Sequence, residues 1–208
     1  MKELSVPLTL TFAEADERYE LSKFLNTWDE DQPVKVYAGD AALPELDLSD
    51  GPCLVAGNLE VAGDLLGMDE EDGFLVVLGR CDARNVLLGG PEVWIQGDLV
   101  ARNGVLADYN HGLLTVGGDL EAAVVCAEHT VKVQGTVRGL SVDFGGLRVA
   151  APGFAPTVTR NDAVYHAREH FVPGALNEQG YANGRSLFDL MQAGEPPLSR
   201  MLPDAKTS

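Results

Sequence analysis

Positive charge is scarce in this sequence. Lys and Arg number 15 against 32 Asp and Glu, a formal net charge of −17 over 208 residues. Nucleic-acid backbones are gripped by stripes of Lys and Arg, so this balance excludes nucleic acid as a partner. It excludes adhesion to anionic membrane surfaces for the same reason. Long apolar runs are also missing: no stretch is long enough to span a bilayer, and the N-terminus has no signal-peptide core. Cysteine is rare. Cys53, Cys81 and Cys126 are odd in number and show no paired spacing, which predicts buried free thiols in a reducing cytoplasm. Aromatic residues make up only 7% of the chain, whereas Gly occurs 23 times. That pairing suits turn-rich β structure better than a helical bundle. The signatures of phosphate loops, zinc proteases, dithiol redox centres and serine hydrolases are all absent. A non-enzymatic protein without a cofactor is therefore expected.

What the chain does have is an internal repeat. Six segments share a short apolar strand, a Gly and a second short strand. They read Val34-Lys-Val-Tyr-Ala-Gly39-Asp, Cys53-Leu-Val-Ala-Gly57-Asn-Leu, Leu75-Val-Val-Leu-Gly79-Arg-Cys, Val93-Trp-Ile-Gln-Gly97-Asp-Leu, Leu114-Thr-Val-Gly-Gly118-Asp-Leu and Val131-Lys-Val-Gln-Gly135-Thr-Val. The six glycines are spaced by 18, 22, 18, 21 and 17 residues. That period is too short for helix-pair repeats. It fits a coil of three short strands, stacked about 4.8 Å above the last. The expected architecture is mainly β: a single-stranded parallel β-helix solenoid of about six coils over residues 34–150. Gly supplies the turn conformation that a Cβ penalises. Alternation places Val, Leu and Ile inside and Lys35, Glu60, Gln96 and Lys132 outside. A β-sandwich is the competing reading, but its hairpin turns recur every 8–12 residues.

The Gly-Asp/Asn-Leu units at Gly57, Gly63, Gly97 and Gly118 resemble the bactofilin family, bacterial polymer-forming cytoskeletal proteins. The resemblance covers roughly Val34 to Val149. It implies a right-handed β-helix without an active site, one that polymerises end to end. The chain departs from that pattern at both termini, which read as folded caps. Residues 1–33 read as a strand (Ser5–Phe12) and then a helix, with Leu21, Phe24, Leu25 and Trp28 on one face. Residues 151–208 read as a helical C-terminal cap and tail, with helices at Asn161–Val172 and Ser186–Gln192. A filament needs open heterologous ends, so a doubly capped rod is expected to be a monomer or a closed dimer.

The long repeats carry insertions at one place. Asp69–Asp72 lies 12 to 15 residues after Gly57, and Asp108–His111 lies 11 to 14 after Gly97. Glu92 and the pair Glu128-His129 fall near the same offset in the neighbouring coils. Stacking brings equal offsets to one edge, here Asp69, Glu70, Glu71, Asp72, Glu92, Asp108, Tyr109, Asn110, His111, Glu128 and His129. Insertions of this kind gather on binding faces, and an acidic edge with a Tyr suits a basic partner surface. Asp29, Glu30 and Asp31 extend the candidate surface at the N-terminal side. The same residues equally suit solvated turns that keep a protein soluble. Ca²⁺ binding is disfavoured, because Asp69–Asp72 lacks the EF-hand spacing.

His166 and His170 stand four apart, the one pair with metal-ligand spacing on a helix face. Two incidental histidines on a cap helix explain them better than a metal site. Three functions follow in order of preference. The first is a protein-binding module, similar in character to small acidic immunity proteins, that occludes a cognate toxin with a basic surface. The second is a bactofilin-like scaffold subunit. The third, least favoured, is a metal-dependent enzyme centred on His166 and His170.

Overall fold

The repeat glycines form a column. In the computed structural model, which describes residues 6–26, 28–68, 73–108, 111–144 and 148–199, each lies directly over the next. The Gly97, Gly118 and Gly135 N–H groups donate to the carbonyls of Gly79, Gly97 and Gly118 at 2.9, 3.0 and 3.0 Å. The reason for glycine differs from the expected one. None of the six has a positive φ. A Cβ is instead refused by the neighbouring coil: one on Gly97 would lie 2.9 Å from the Gly79 carbonyl oxygen, and one on Gly135 2.7 Å from that of Gly118.

The column organises a solenoid of about six turns. A first strand, β1 (Leu8–Thr11), and helix α1 (Phe12–Tyr19) precede it. The first turn carries β2 (Pro33–Tyr37), β3 (Ala41–Leu43) and β4 (Leu46–Asp47). The second carries β5 (Cys53–Val55), β6 (Leu59–Val61) and β7 (Asp64–Gly67). In later turns the second and third strands merge: β8 (Leu75–Val77) and β9 (Cys81–Leu88), β10 (Glu92–Ile95) and β11 (Leu99–Ala107), β12 (Leu113–Val116) and β13 (Leu120–Ala127), β14 (Thr130–Val133) and β15 (Val137–Asp143). A last strand, β16 (Val149–Ala150), closes the first sheet. That sheet runs β1-β2-β5-β8-β10-β12-β14-β16, and every pair in it is parallel except β1 with β2. The second sheet bends into two faces, with bulges marking the corner between Ala101 and Gly104 and between Glu121 and Val124.

Alternation fills the interior. Cys53, Leu75, Val93, Leu114 and Val131 share one register, and Val55, Val77, Ile95, Val116 and Val133 another. All belong to one core cluster with exposures of 0–3%. Each buried Val, Leu or Ile among them contributes about 1.5–3 kcal/mol relative to an exposed one. Glu60, Gln96 and Lys132 are outside as expected. Lys35 is not: it stands in register with Cys53, over the open first turn, where its Nζ lies 3.7 Å from Asp50. Val34 and Val36 point the other way, into the N-terminal lobe.

The Asp or Asn after the column glycine has a structural task. Asp40, Asn58, Asp98 and Asp119 each accept, through Oδ1, the backbone N–H one coil on: Asn58, Arg80, Asp119 and Thr136, at 2.7–2.9 Å. This ladder accounts for the Gly-Asp/Asn-Leu copies at Gly57, Gly97 and Gly118.

The terminal segments depart from expectation. The N-terminal helix does not run to Trp28. It begins at a Thr11–Glu14 capping box and stops at Glu20, which takes a left-handed conformation. The Asp16 carboxylate accepts the Ser22 N–H at 2.7 Å and steadies the turn. The bend lets Phe12, Ala15, Leu21 and Leu25 all reach the outer side of the first sheet, against Val36, Leu54 and Val76. The C-terminal helices, α2 (Arg160–Tyr165), α3 (Ala167–His170) and α4 (Gly184–Ala193), flank the rod instead of capping its end. Phe171, Leu187 and Met191 cover Leu87, Leu106, Val124, Cys126 and Val142 on the third face. Phe154 is what packs against the interior at the far end, while Thr157 and Val158 bond to Ser141 and Asp143.

Candidate functional site

The strand ends that flank the insertions are stacked in register. Gly67, Leu88, Ala107, Ala127 and Asp143 end the third face in register, and Glu92, Leu113 and Thr130 restart the first sheet in register. The linkers between them therefore share one corner. Glu92, Asp108, His111, Glu128 and His129 lie there. Asp69, Glu70, Glu71, Asp72, Tyr109 and Asn110 belong to the same linkers but fall outside the described residues. Asp29, Glu30 and Asp31 are exposed in the N-terminal lobe.

Apart from Glu30 and Asp31, which belong to neither, the described candidates fall into two groups. Asp29, Glu92 and His111 line a single cleft of about 520 Å³ between that lobe and the corner, together with Asn26, Trp28, Gln32 and Phe74. Glu92 joins its two walls: its carboxylate accepts the Asn26 N–H at 2.9 Å and the Asn26 side-chain amide. Trp28 stacks on Phe12, with centroids 5.3 Å apart and planes 9° apart. It is nonetheless 43% exposed. Phe74 meets Phe12 edge-on at 5.9 Å. An adjoining hollow of about 350 Å³ shares Asn26, Glu92 and Leu113 with the cleft and adds Phe24, Trp94 and Lys132. The buried Trp94 Nε1 has no acceptor among the described residues.

In the second group His129 and Asp108 turn inward, while Glu128 stays exposed beside them. His129 is fully buried, so its ring does not reach a partner surface. Its Nδ1 donates to the carbonyls of Gly89 and Asp108 at 3.0 and 3.1 Å. Burial holds its pKa below the usual histidine value, against those hydrogen bonds. Gly112 is required beside it, because a Cβ there would strike the ring. The half-buried Asp108 turns its carboxylate onto Gly184, at the start of α4, where the helix dipole favours negative charge. Glu128 lies beside Asp108. Partial desolvation, then the Asp108 hydrogen bond and charge, push its carboxyl up.

The other end of α4 is fastened by residues that the sequence pattern did not single out. Asn85 Nδ2 donates to the Met191 carbonyl at 2.9 Å, and Arg84 Nη2 reaches the Gln192 carbonyl at 3.4 Å. Both hold the buried Asp64: Arg84 is bidentate at 2.8 and 2.7 Å, and Asn85 bonds at 2.9 Å. Asp64 belongs to the Gly63-Asp-Leu copy of the repeat motif. That copy sits at a different corner from the ladder, and its offset was the available signal. The cleft residues Asn26, Trp28 and Gln32 were hidden for another reason: Trp28 reads as the last core position of a long helix.

His166 and His170 do not share a helix face. The expected helix starts at a Thr159 cap and breaks at His166, where φ is −123° and ψ 24°. His166 Nδ1 contacts Glu169 at 3.2 Å. Among the described residues no three of His, Cys, Asp and Glu converge on a metal-sized site. All three cysteines are buried and free. Burial pushes each thiol up to about 12, so the reactive thiolate is withheld at neutral pH. No protein-family model matches this chain, and no curated protein or solved structure matches it.

Proposed function

We propose that the protein is a non-enzymatic binding module, an immunity-type inhibitor that occludes a toxin or another basic partner protein in a reducing cytoplasm. One observation carries this reading. Asp29, Glu92 and His111, from three distant stretches of an acidic chain, line one concave surface beside an exposed Trp. An aromatic anchor with a charged surround is the usual anatomy of a protein-binding hot spot. The acidic surface steers a basic partner toward it. The segments at the rod's ends favour a monomer or closed dimer over a filament: β1 pairs along β2, and Phe154 with the Thr157–Val158 segment lies over the last turn.

The test uses the whole chain as bait in extracts of its source cells, followed by kinetics with the purified, captured protein. A stoichiometric complex that abolishes the partner's activity is expected. Its association rate should fall at least about 10-fold between low and high salt. A rate indifferent to salt overturns the electrostatic reading, and a partner left active in the complex overturns the inhibitor reading.

A further inference from the structure

We infer that the cleft between the N-terminal lobe and the insertion corner is the seat of an arginine side chain presented by the partner. This rests on the protein-binding reading above and names what the cleft recognises.

Among the described residues, the cleft's lining contains two carboxylates, Asp29 and Glu92, and no Lys or Arg. It therefore favours a cation on local as well as global charge. Its aromatic wall is Trp28, the ring type that binds cations best. Phe12 stacks on one face of that indole, which fixes the ring in place while 43% of the residue stays exposed. A fixed platform loses little entropy when a ligand lands on it. Glu92 is likewise held by two hydrogen bonds from Asn26. A carboxylate has about four acceptor positions, so two are left for a ligand.

These features select arginine over lysine. A guanidinium is planar, so it can lie on an indole while its edge donates in parallel to a carboxylate. An ammonium is a hydrated point charge and cannot do both with the same geometry. The amide oxygens of Asn26 and Gln32 add neutral acceptors in the same cleft. Its volume, about 520 Å³, takes an arginine side chain with backbone on either side.

The experiment exploits the fact that the chain has only two tryptophans. Trp94→Phe leaves Trp28 as the sole reporter. Four extended pentapeptides serve as probes, with arginine, lysine, citrulline or glutamate at the centre. The arginine peptide should change Trp28 emission and bind most tightly. Citrulline, with the same shape and no charge, should bind at least about 10-fold more weakly, as should the Asp29→Asn, Glu92→Gln double variant toward arginine. Trp28→Ala, followed by calorimetry, should lose roughly 2- to 30-fold. Trp28→Phe keeps the packing on Phe12 and should fall between. Equal binding of arginine and lysine peptides with unchanged Trp28 emission overturns the seat and leaves the acidic-surface reading intact. Failure of the chain to bind any basic protein overturns both.

Discussion

Alanine at successive column glycines separates two explanations for the repeat. If these glycines serve a backbone conformation, every copy should suffer alike. If they serve close approach between coils, the cost should follow the space. The structure gives a graded series. Gly39, on the first coil, has nothing within 4 Å of a built Cβ, so Gly39→Ala should be neutral or stabilising by about 0.4–1 kcal/mol through the unfolded chain. A Cβ on Gly97 meets the Gly79 carbonyl oxygen at 2.9 Å and carbon at 3.0 Å. On Gly118 it meets Gly97 C and Asp98 N, both at 2.9 Å, and runs into Asp98 Oδ1, which is accepting the Asp119 N–H at 2.8 Å. Gly118→Ala therefore overpacks against backbone, for about 1–3 kcal/mol, and strains a ladder hydrogen bond worth about 0.5–1.5 kcal/mol. The Gly39 and Gly118 variants should differ by roughly 2–5 kcal/mol. At about 2–4 °C per kcal/mol for a chain of this size, their melting temperatures should lie roughly 4–20 °C apart, with Gly97→Ala between them. Thermal scans by circular dichroism under one buffer decide the matter. Similar melting temperatures for Gly39→Ala and Gly118→Ala would refute the close-approach account.

Further expectations concern the corner and the flanking helices. Asn85→Ala removes the bonds to Asp64 and to the Met191 carbonyl and should cost about 1–3 kcal/mol. Limited proteolysis should then cut residues 151–199 first, and equal cutting within residues 34–150 contradicts the docking account. His129 is buried with a lowered pKa, so the unfolded chain takes up its proton first as pH falls below about 6.5. Stability should drop below that pH, and His129→Leu should flatten that part of the profile measured by urea unfolding. Glu128 has the opposite sign. Its raised pKa gives a contribution present below the ordinary carboxylate value and lost as pH rises. Glu128→Gln should stabilise the protein at pH 8 and match the parent below pH 4.5; a gain that persists in acid argues against the Asp108 contact.

The sequence made the solenoid legible because its signal is repeated. Gly39 to Gly135 mark one corner six times, and the alternation of Val131-Lys-Val-Gln is the alternation of the structure. The insertion corner was legible for the same reason, since equal offsets stack. What escaped was unique. Nothing in Glu14–Trp28 announces a stop at Glu20, because the turn depends on Asp16 reaching Ser22 and on Leu21 and Leu25 finding the sheet. Nothing in residues 151–199 says whether its apolar face meets the rod's end or its side. That is decided by Leu87, Leu106 and Val124, outward-facing residues whose strands read as buried on both sides. The cleft lies between a non-repeating lobe and a repeating corner, so no single pattern contained it.

The acidity of the chain separates into two uses once the contacts are counted. Asp40, Asp98 and Asp119 carry the ladder between coils, and Asp64 anchors Arg84 and Asn85 beneath α4. Asp108 meets the start of the same helix. These carboxylates serve the fold, so neutralising them should be read as stability and not as binding. Asp29, Glu30 and Asp31 lie on the surface instead, and Glu92 stands in the cleft with Asn26 as its partner. Net charge alone cannot separate the two sets, since every carboxylate counts alike toward −17. Position in the coil does separate them. A carboxylate one residue after a column glycine is spent within the rod, and one on the lobe side of the insertion corner faces a visitor. Substitutions sorted by that rule should divide into those at the ladder, which lower the melting temperature, and those at Asp29, Glu30 and Asp31, which lower affinity alone, with Glu92 doing both because it also ties Asn26 to the corner.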